Sequence, residues 1–290
     1  MGILICGKAC KMRGLKKIHA LYGLKWNPFL PDIPNEFLIK DEATKKFCFR
    51  VEQILMDGGF AMVTGEPGTG KSVVLRQLNL HLSEIPELNV KVITRPQSGL
   101  RDFYREISQL FNIPMTASNR YGSFSKLREV WKSHIKTSLF RPVILIDEAQ
   151  EACEDVLNEI RLLSSVELDS KNILAVVFAG DNRLVEKLRQ SSLNPLESRI
   201  RIKHHLDKRS PSDLVQIFTN SLEAAGSPDL MTSSLIQTLA EHSMGNIRAM
   251  MTMANELLFI ACENDIRKLD ENLFFEISKN TQKRKRPSRD

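Results

Sequence analysis

The sequence predicts an α/β fold, a parallel sheet sandwiched by helices, followed by a small all-helical domain. Three observations carry this. Short apolar runs alternate with helix-period stripes from Phe60 to Leu206, the pattern of right-handed βαβ units. One run, Val143 to Ile146, is continuously apolar, as a central parallel strand covered on both faces requires. Beyond Pro211 only helical periodicity remains.

Taken in order, Phe60 to Thr64 reads as a buried strand that ends in a Gly-rich turn. Val74, Leu75, Leu78 and Leu82 then share one face of a helix. Val90 to Thr94 is a second strand. Phe103, Ile107, Leu110 and Phe111 mark a helical stripe, and Phe124, Leu127, Trp131 and Ile135 mark another. The polar stretch Asn112 to Ser123 separates the two. Ile173 to Ala179 repeats the buried-strand signature, and Ile200 to Leu206 is a weaker, more polar strand. Leu214, Ile217, Phe218 and Leu222 begin the helical run, which continues through Leu235–Leu239 and Ile247–Ala261. The resulting division is a basic segment 1–25, an α/β domain 26–207, a helical domain 208–278 and a basic tail 279–290.

A chain of 290 residues with 42% hydrophobic content has enough material for one large core or two smaller ones. Its net charge of +6 is unevenly placed. Lys8, Lys11, Arg13, Lys16, Lys17 and Lys25 face no acid in residues 1–25. Lys279, Lys283, Arg284, Lys285, Arg286 and Arg289 face only Asp290 in the tail, which leaves 26–278 at −5. Basic clusters at chain ends attract polyanions or are simply solvated. No apolar run approaches the roughly 20 residues of a membrane helix. The opening Met1 to Cys6 lacks both a basic start and the length of a signal peptide. Cys6 also stands where a myristoylation signal needs Ser or Thr. The scattered Cys6, Cys10, Cys48, Cys153 and Cys262 read as reduced, buried thiols. These features predict a soluble, cytoplasmic protein with no membrane partner.

The sharpest signal is Gly65-Glu66-Pro67-Gly68-Thr69-Gly70-Lys71-Ser72, which fits the P-loop pattern at every position. Its glycines let backbone N–H groups approach a β-phosphate. Lys71 supplies charge to the β- and γ-phosphates, and the Ser72 hydroxyl can ligand Mg²⁺. The helix that follows aims its positive end at the anion. A metal-holding carboxylate is expected from a neighbouring strand, and Val143-Ile144-Leu145-Ile146-Asp147-Glu148 supplies it. Asp147 can anchor Mg²⁺ through its water shell, while Glu148 can orient or deprotonate an attacking water. The guanine-reading N-K-x-D signature is absent, so the substrate is expected to be ATP.

The order of these motifs resembles the AAA+ ATPases over about residues 22–278. Within them it is similar to the group that holds the ExeA-type ATPases and the transposition regulators of the TniB, TnsC and MuB type. Tyr22 to Phe29 resembles the segment beside the adenine, although Trp26 and Phe29 fit ordinary core anchors equally well. Phe178-Ala179-Gly180-Asp181 falls where the family places its sensor-1 residue, with Asp181, or Asn182, in that role. Asp181 departs from the usual neutral residue, since an acid would repel a γ-phosphate. Leu196-Glu197-Ser198-Arg199 resembles the box that carries the arginine finger, with Arg201 as a rival. Gly245-Asn246-Ile247-Arg248 opens a helix like one that bears a sensor-2 arginine, so the helical domain is read as a lid. A first-turn cation is electrostatically unfavourable unless a phosphate faces it. Met244, Met250, Met251 and Met253 read as core filling, and His204-His205 as ordinary strand residues and not metal ligands.

The resemblance implies ATP and Mg²⁺ as cofactors and a homo-oligomer, either ring or filament, with nucleotide between subunits. It further implies assembly on double-stranded DNA, recruitment of a transposase with or without a target-selection protein, and disassembly on hydrolysis. Arg95, Arg101, Arg120, Lys126, Arg128 and the two basic ends are the DNA-side candidates. Secretion-linked ATPases of the ExeA type and replication-initiator-like remodellers are the alternative readings.

Overall fold

The computed structural model describes residues 17–35, 38, 41–55, 57–94, 96, 99–115, 119–137, 140–166 and 171–284. Cys6, Cys10, Arg95, the basic residues up to Lys16 and those from Lys285 onward lie outside these. The chain divides into two compact units, Lys40–Asp207 and a second made of Met1–Ile39 with Lys208–Asp290.

The first unit holds, among the described residues, a five-stranded sheet in the order β2-β3-β6-β1-β7. The strands are β1 (Gly59–Gly65), β2 (Leu88–Ile93), β3 (Arg141–Ile146), β6 (Ala175–Gly180) and β7 (Ile200–Leu206). All four pairings are parallel. β1 and β6 are buried along their whole lengths, which accounts for their unbroken apolar sequences. Side chains alternate across the sheet. Ala61 and Val63 meet Leu75, Leu78 and Leu82 of the helix Lys71–Ser83, together with Phe47, Val51 and Leu55 of the helix Glu42–Leu55. Phe60 and Met62 face the opposite layer, where Tyr104, Leu127, Trp131 and Ile160 close the core. That layer is built from the helices Leu100–Phe111, Arg120–Thr137 and Glu154–Ser164. The helices Glu42–Leu55 and Glu154–Ser164 have no counterpart in the sequence reading, and neither do the short helices Asn182–Leu188 and Asn194–Glu197 or the antiparallel hairpin β4 (Ser165–Val166) and β5 (Lys171–Asn172).

The second unit is helical, with Pro211–Ala225, Ser233–His242, Ile247–Glu263 and Glu271–Arg284. The helix Pro211–Ala225 opens on a capping box between Ser210 and Asp213 and closes at Gly226, whose φ of +90° suits glycine. Residues 17–22 are also helical. Ile18, Tyr22, Leu24 and Phe29 are buried in the same core as Leu214, Phe218 and Leu257. Phe29 stacks on Phe218 at 5.1 Å, and Tyr22 Oη donates to Ile266 O at 2.7 Å. Burial raises the Tyr22 hydroxyl to about 12. Trp26 packs half-buried against this core, so the segment Trp26–Phe29, read from sequence as part of the α/β domain, belongs to the helical unit. No helix among the described residues is long and apolar enough to cross a membrane.

Two side-chain expectations need correction. Met250 is buried, and Met251 and Met253 are half-buried, but Met244 is 80% exposed on a turn at φ +51°. Cys48 and Cys262 are buried thiols, whereas Cys153 is exposed where the helix Glu154–Ser164 begins.

Candidate nucleotide site

Parallel strands expose their carboxyl ends along one edge of a sheet, and loops there gather chemistry from separate parts of the chain. β1 delivers the P-loop to that edge. Gly68 and Gly70 take φ of +86° and +106°, backbone that a side chain would strain. Gly65 is required for space, because a Cβ there would lie 2.7 Å from both Leu206 O and Thr69 Oγ1. Thr69 ties the loop to itself, with its N–H at 3.3 Å and its hydroxyl at 2.9 Å from Glu66 O. The buried Lys71 sends Nζ into the hollow, donating to Gly65 O at 3.0 Å and Glu66 O at 3.1 Å. Glu66 and Pro67 stay exposed on the rim, as does Ser72 in the first helical turn. A helix start leaves its first N–H groups to be satisfied from outside the helix.

Asp147 and Glu148 leave β3, which is not the immediate neighbour of β1. β6 pairs with both. The metal-holding strand was expected to neighbour the P-loop strand; instead the intervening β6 sets Gly180 and Asp181 between the two. Asp147 N–H extends the sheet by donating to Ile93 O at 2.9 Å, and its Oδ1 accepts from Glu148 N–H at 2.9 Å. Glu148 then turns the chain sharply at φ +51°. A 3₁₀ turn, Ala149–Glu151, follows. On it, buried Gln150 donates through Nε2 to Glu148 Oε2 at 2.5 Å and accepts at Oε1 from Asp181 N–H at 3.2 Å.

Asp181 caps the helix Asn182–Leu188 by accepting from Arg183 N–H. Arg183 pairs with Asp181 and with Glu151, each at 2.9 Å. Burial pushes the Asp181 carboxyl up, yet hydrogen bonds from Arg183 and the charges of Arg183 and Lys71 outweigh it and hold the group below its usual range. The repulsion expected of an acid at this place is therefore offset by an adjacent guanidinium. Asn182 is exposed.

Other predicted residues fall as follows. Arg199 donates from Nη1 to Ser165 Oγ on the hairpin, while Glu197 pairs with Lys203 and not with Arg199. Arg201 is exposed on β7, the last strand in the sheet order. Arg248 is exposed in the first turn of Ile247–Glu263, a helix capped by Asn246. His204 stacks on Phe47 at 4.9 Å, and His205 Nδ1 lies 3.0 Å from Thr64 Oγ1. No cluster of three metal-ligating side chains occurs among the described residues. Of the DNA-side candidates, Arg101 and Lys126 are exposed, and Arg128 lies over the Phe124 ring at 5.1 Å. Arg120 is engaged within the fold by both oxygens of Glu159.

Residues 54–188 match the AAA domain family. That match covers just under half of the chain. Over 246 residues it is 31% identical to General secretion pathway protein A of Aeromonas hydrophila, covering 83% of this chain and 44% of that protein. The chain thus spans less than half the length of the curated relative it matches. The fold is similar to Cdc6p from Pyrobaculum aerophilum, with a TM-score of 0.68, 18% identity, and coverage of 83% of this chain and 67% of that one. Drosophila ORC bound to DNA gives a TM-score of 0.66 at 17% identity, over 87% of this chain and 63% of that one. The RuvB Holliday junction branch migration motor of Thermotoga maritima gives 0.56 at 18%, over 86% and 72%. The fold is the AAA+ P-loop fold: a parallel five-strand sheet flanked by helices, with a helical region after it.

The residues gathered at this sheet edge fit a Mg²⁺-nucleotide. Gly65 leaves space that a Cβ would fill, Lys71 offers a buried cation to phosphate, and the Ser72 hydroxyl and Asp147 carboxylate are hard oxygen donors of the kind Mg²⁺ takes. Sequence reasoning missed Gln150, Arg183 and Lys187. Each acts on at least one partner set close in space by the strand order, and the local hints were a glutamine two residues after Glu148 and an arginine two residues after Asp181.

Proposed function

We propose that the chain is a Mg²⁺-dependent ATPase whose ATP-bound form assembles with its own copies on duplex DNA to regulate a transposase. What carries the ATPase reading is the meeting at one sheet edge of Lys71, the Asp147–Glu148 pair and Asp181. Lys71 binds β- and γ-phosphate oxygens. Ser72 and Asp147 hold the metal, which when bound neutralises phosphate charge. Glu148 accepts the proton of the attacking water. Asp181, with Arg183, shapes the γ-phosphate side, and Arg248 is a nucleotide-binding residue by its resemblance to a sensor-2 arginine. Arg199, released from Ser165, serves a neighbouring copy's nucleotide as a finger, a contribution of about 10³-fold or more in related chemistry. Arg201 takes that role if Arg199 does not.

The DNA and transposase part is supported by the resemblance to the transposition-regulator group and by the basic chain ends. The 31% identity to a secretion-pathway protein favours a second reading, in which the same ATPase cycle drives envelope secretion. The deciding test is sedimentation of the protein with duplex DNA, with and without ATP, across a salt series. The first reading expects ATP-dependent association that falls steeply with salt, because phosphate contacts release counterions. It also expects Lys71→Ala to lose both ATP binding and DNA association. Equal DNA binding without nucleotide, or none with it, rejects the DNA reading and leaves the secretion one.

A further inference from the structure

We infer that Gln150 is a positioning residue for hydrolysis: its side-chain amide holds the carboxylate of Glu148 against the carboxyl end of β6. This rests on the reading of Glu148 as the group that activates water. Gln150 is 5% exposed and sits two residues beyond Glu148 on the 3₁₀ turn. Its partners fix which end is which. The group facing Glu148 Oε2 at 2.5 Å must donate, because a carboxylate only accepts. The group facing Asp181 N–H at 3.2 Å must accept. Glutamine alone meets both demands at this length. A glutamate could still accept from Asp181, but it would set a second negative charge against Glu148. A methionine cannot donate to Glu148 and accepts only weakly.

Two independent features show surroundings shaped around this amide. A Cβ on Gly180 would lie 2.7 Å from Gln150 Oε1 and 2.8 Å from Leu184 Cδ2, so glycine at the end of β6 leaves room for the amide and for the helix beside it. From the next helix, Lys187 Nζ donates to Gln150 O at 2.5 Å and to Ala152 O at 2.8 Å, pinning the turn that carries Gln150. The Glu148 side chain itself is exposed, and an exposed glutamate samples several rotamers. Engaging Oε2 selects one of them and reserves Oε1 for the proton of water. Gln150 has no role in gripping phosphate, so its loss is felt in turnover and not in affinity.

The test compares Gln150→Glu and Gln150→Met in the full chain, reading kcat, KM, affinity for a fluorescent ATP analogue and melting temperature. The expected result is a fall in kcat of about ten-fold or more, the worth of one charge-assisted hydrogen bond, with KM and affinity within about two-fold of the parent. Unchanged kcat in both variants overturns the inference, as does a parallel loss of kcat, affinity and melting temperature. Failure of both to fold assigns Gln150 to stability and overturns it too. Glu148→Gln is run alongside. Normal turnover in that variant removes the water-activating reading and this inference with it; slow turnover there beside unaffected Gln150 variants removes this inference alone.

Discussion

Arg120 grips Glu159 with both Nε and Nη2, at 2.9 Å and 2.5 Å, although 39 residues separate them. Glu159 is only 1% exposed, and its Oε1 also accepts from Tyr104 Oη at 2.5 Å. Burial, followed by this bond and the charge of Glu159, pushes the Tyr104 phenol up. Three helices therefore share one carboxylate. Removing one partner of a buried ion pair strands the other. Arg120→Ala is expected to lower unfolding free energy by about 2 kcal/mol, below the roughly 3–5 kcal/mol of a fully buried pair because Arg120 is itself largely exposed. Glu159→Gln in the Arg120→Ala background should recover part of that. Urea denaturation of the single and double variants measures the coupling, and additive losses would show that the two do not act together.

Gly65→Ala tests the P-loop without touching charge. The added methyl would meet Leu206 O and Thr69 Oγ1 at 2.7 Å, so the loop must shift. Loss of ATP affinity by about ten-fold or more is expected, corresponding to about 1.4 kcal/mol. Calorimetric titration with a non-hydrolysable analogue reads this directly. Unaltered affinity would mean that β7 yields instead of the loop.

Glu106, half-buried on the helix Leu100–Phe111, is raised above its ordinary value of 4.5 by burial. A folded-state pKa above the unfolded one means that the folded protein binds the proton more tightly. Stability from this group is thus full below 4.5 and is lost as pH rises through the raised value. Glu106→Gln should accordingly stabilise the protein at pH about 7, with an advantage that shrinks on acidification toward pH about 4. Denaturation of both proteins at the two pH values checks this; a pH-independent difference would point to packing.

What could be read in the sequence was set by neighbours along the chain. Gly65 to Ser72 is a local device, each residue needed for the backbone of the next, so eight consecutive positions declared it. Val143 to Ile146 declared its burial by having no polar face. By contrast, the hold of Gln150 on Asp181 spans 31 residues, and it exists only because β6 lies between β1 and β3. Asn182–Leu188 is seven residues long, too short to show a helical period. Met244 looked like its apolar neighbours on the helix, but the turn at Met244–Gly245 carries it outward. Arg120 is exposed, but the sequence did not show that it is paired, because its acid lies on another helix.

The placement of Ile18, Tyr22 and Phe29 with Leu214 and Phe218 has a consequence for the order in which the protein takes shape. The sheet-bearing unit is one uninterrupted stretch of chain, able to close its core as soon as β7 has left the ribosome. The helical unit has parts on both sides of it in the chain, so Tyr22 and Phe29 must stay unburied while the whole α/β unit is synthesised. Phe29 finds its stacking partner only once Phe218 has been made. Shortening the amino end should therefore wound the helical unit, whose sequence lies mostly at the other end, and spare the P-loop a few dozen residues away.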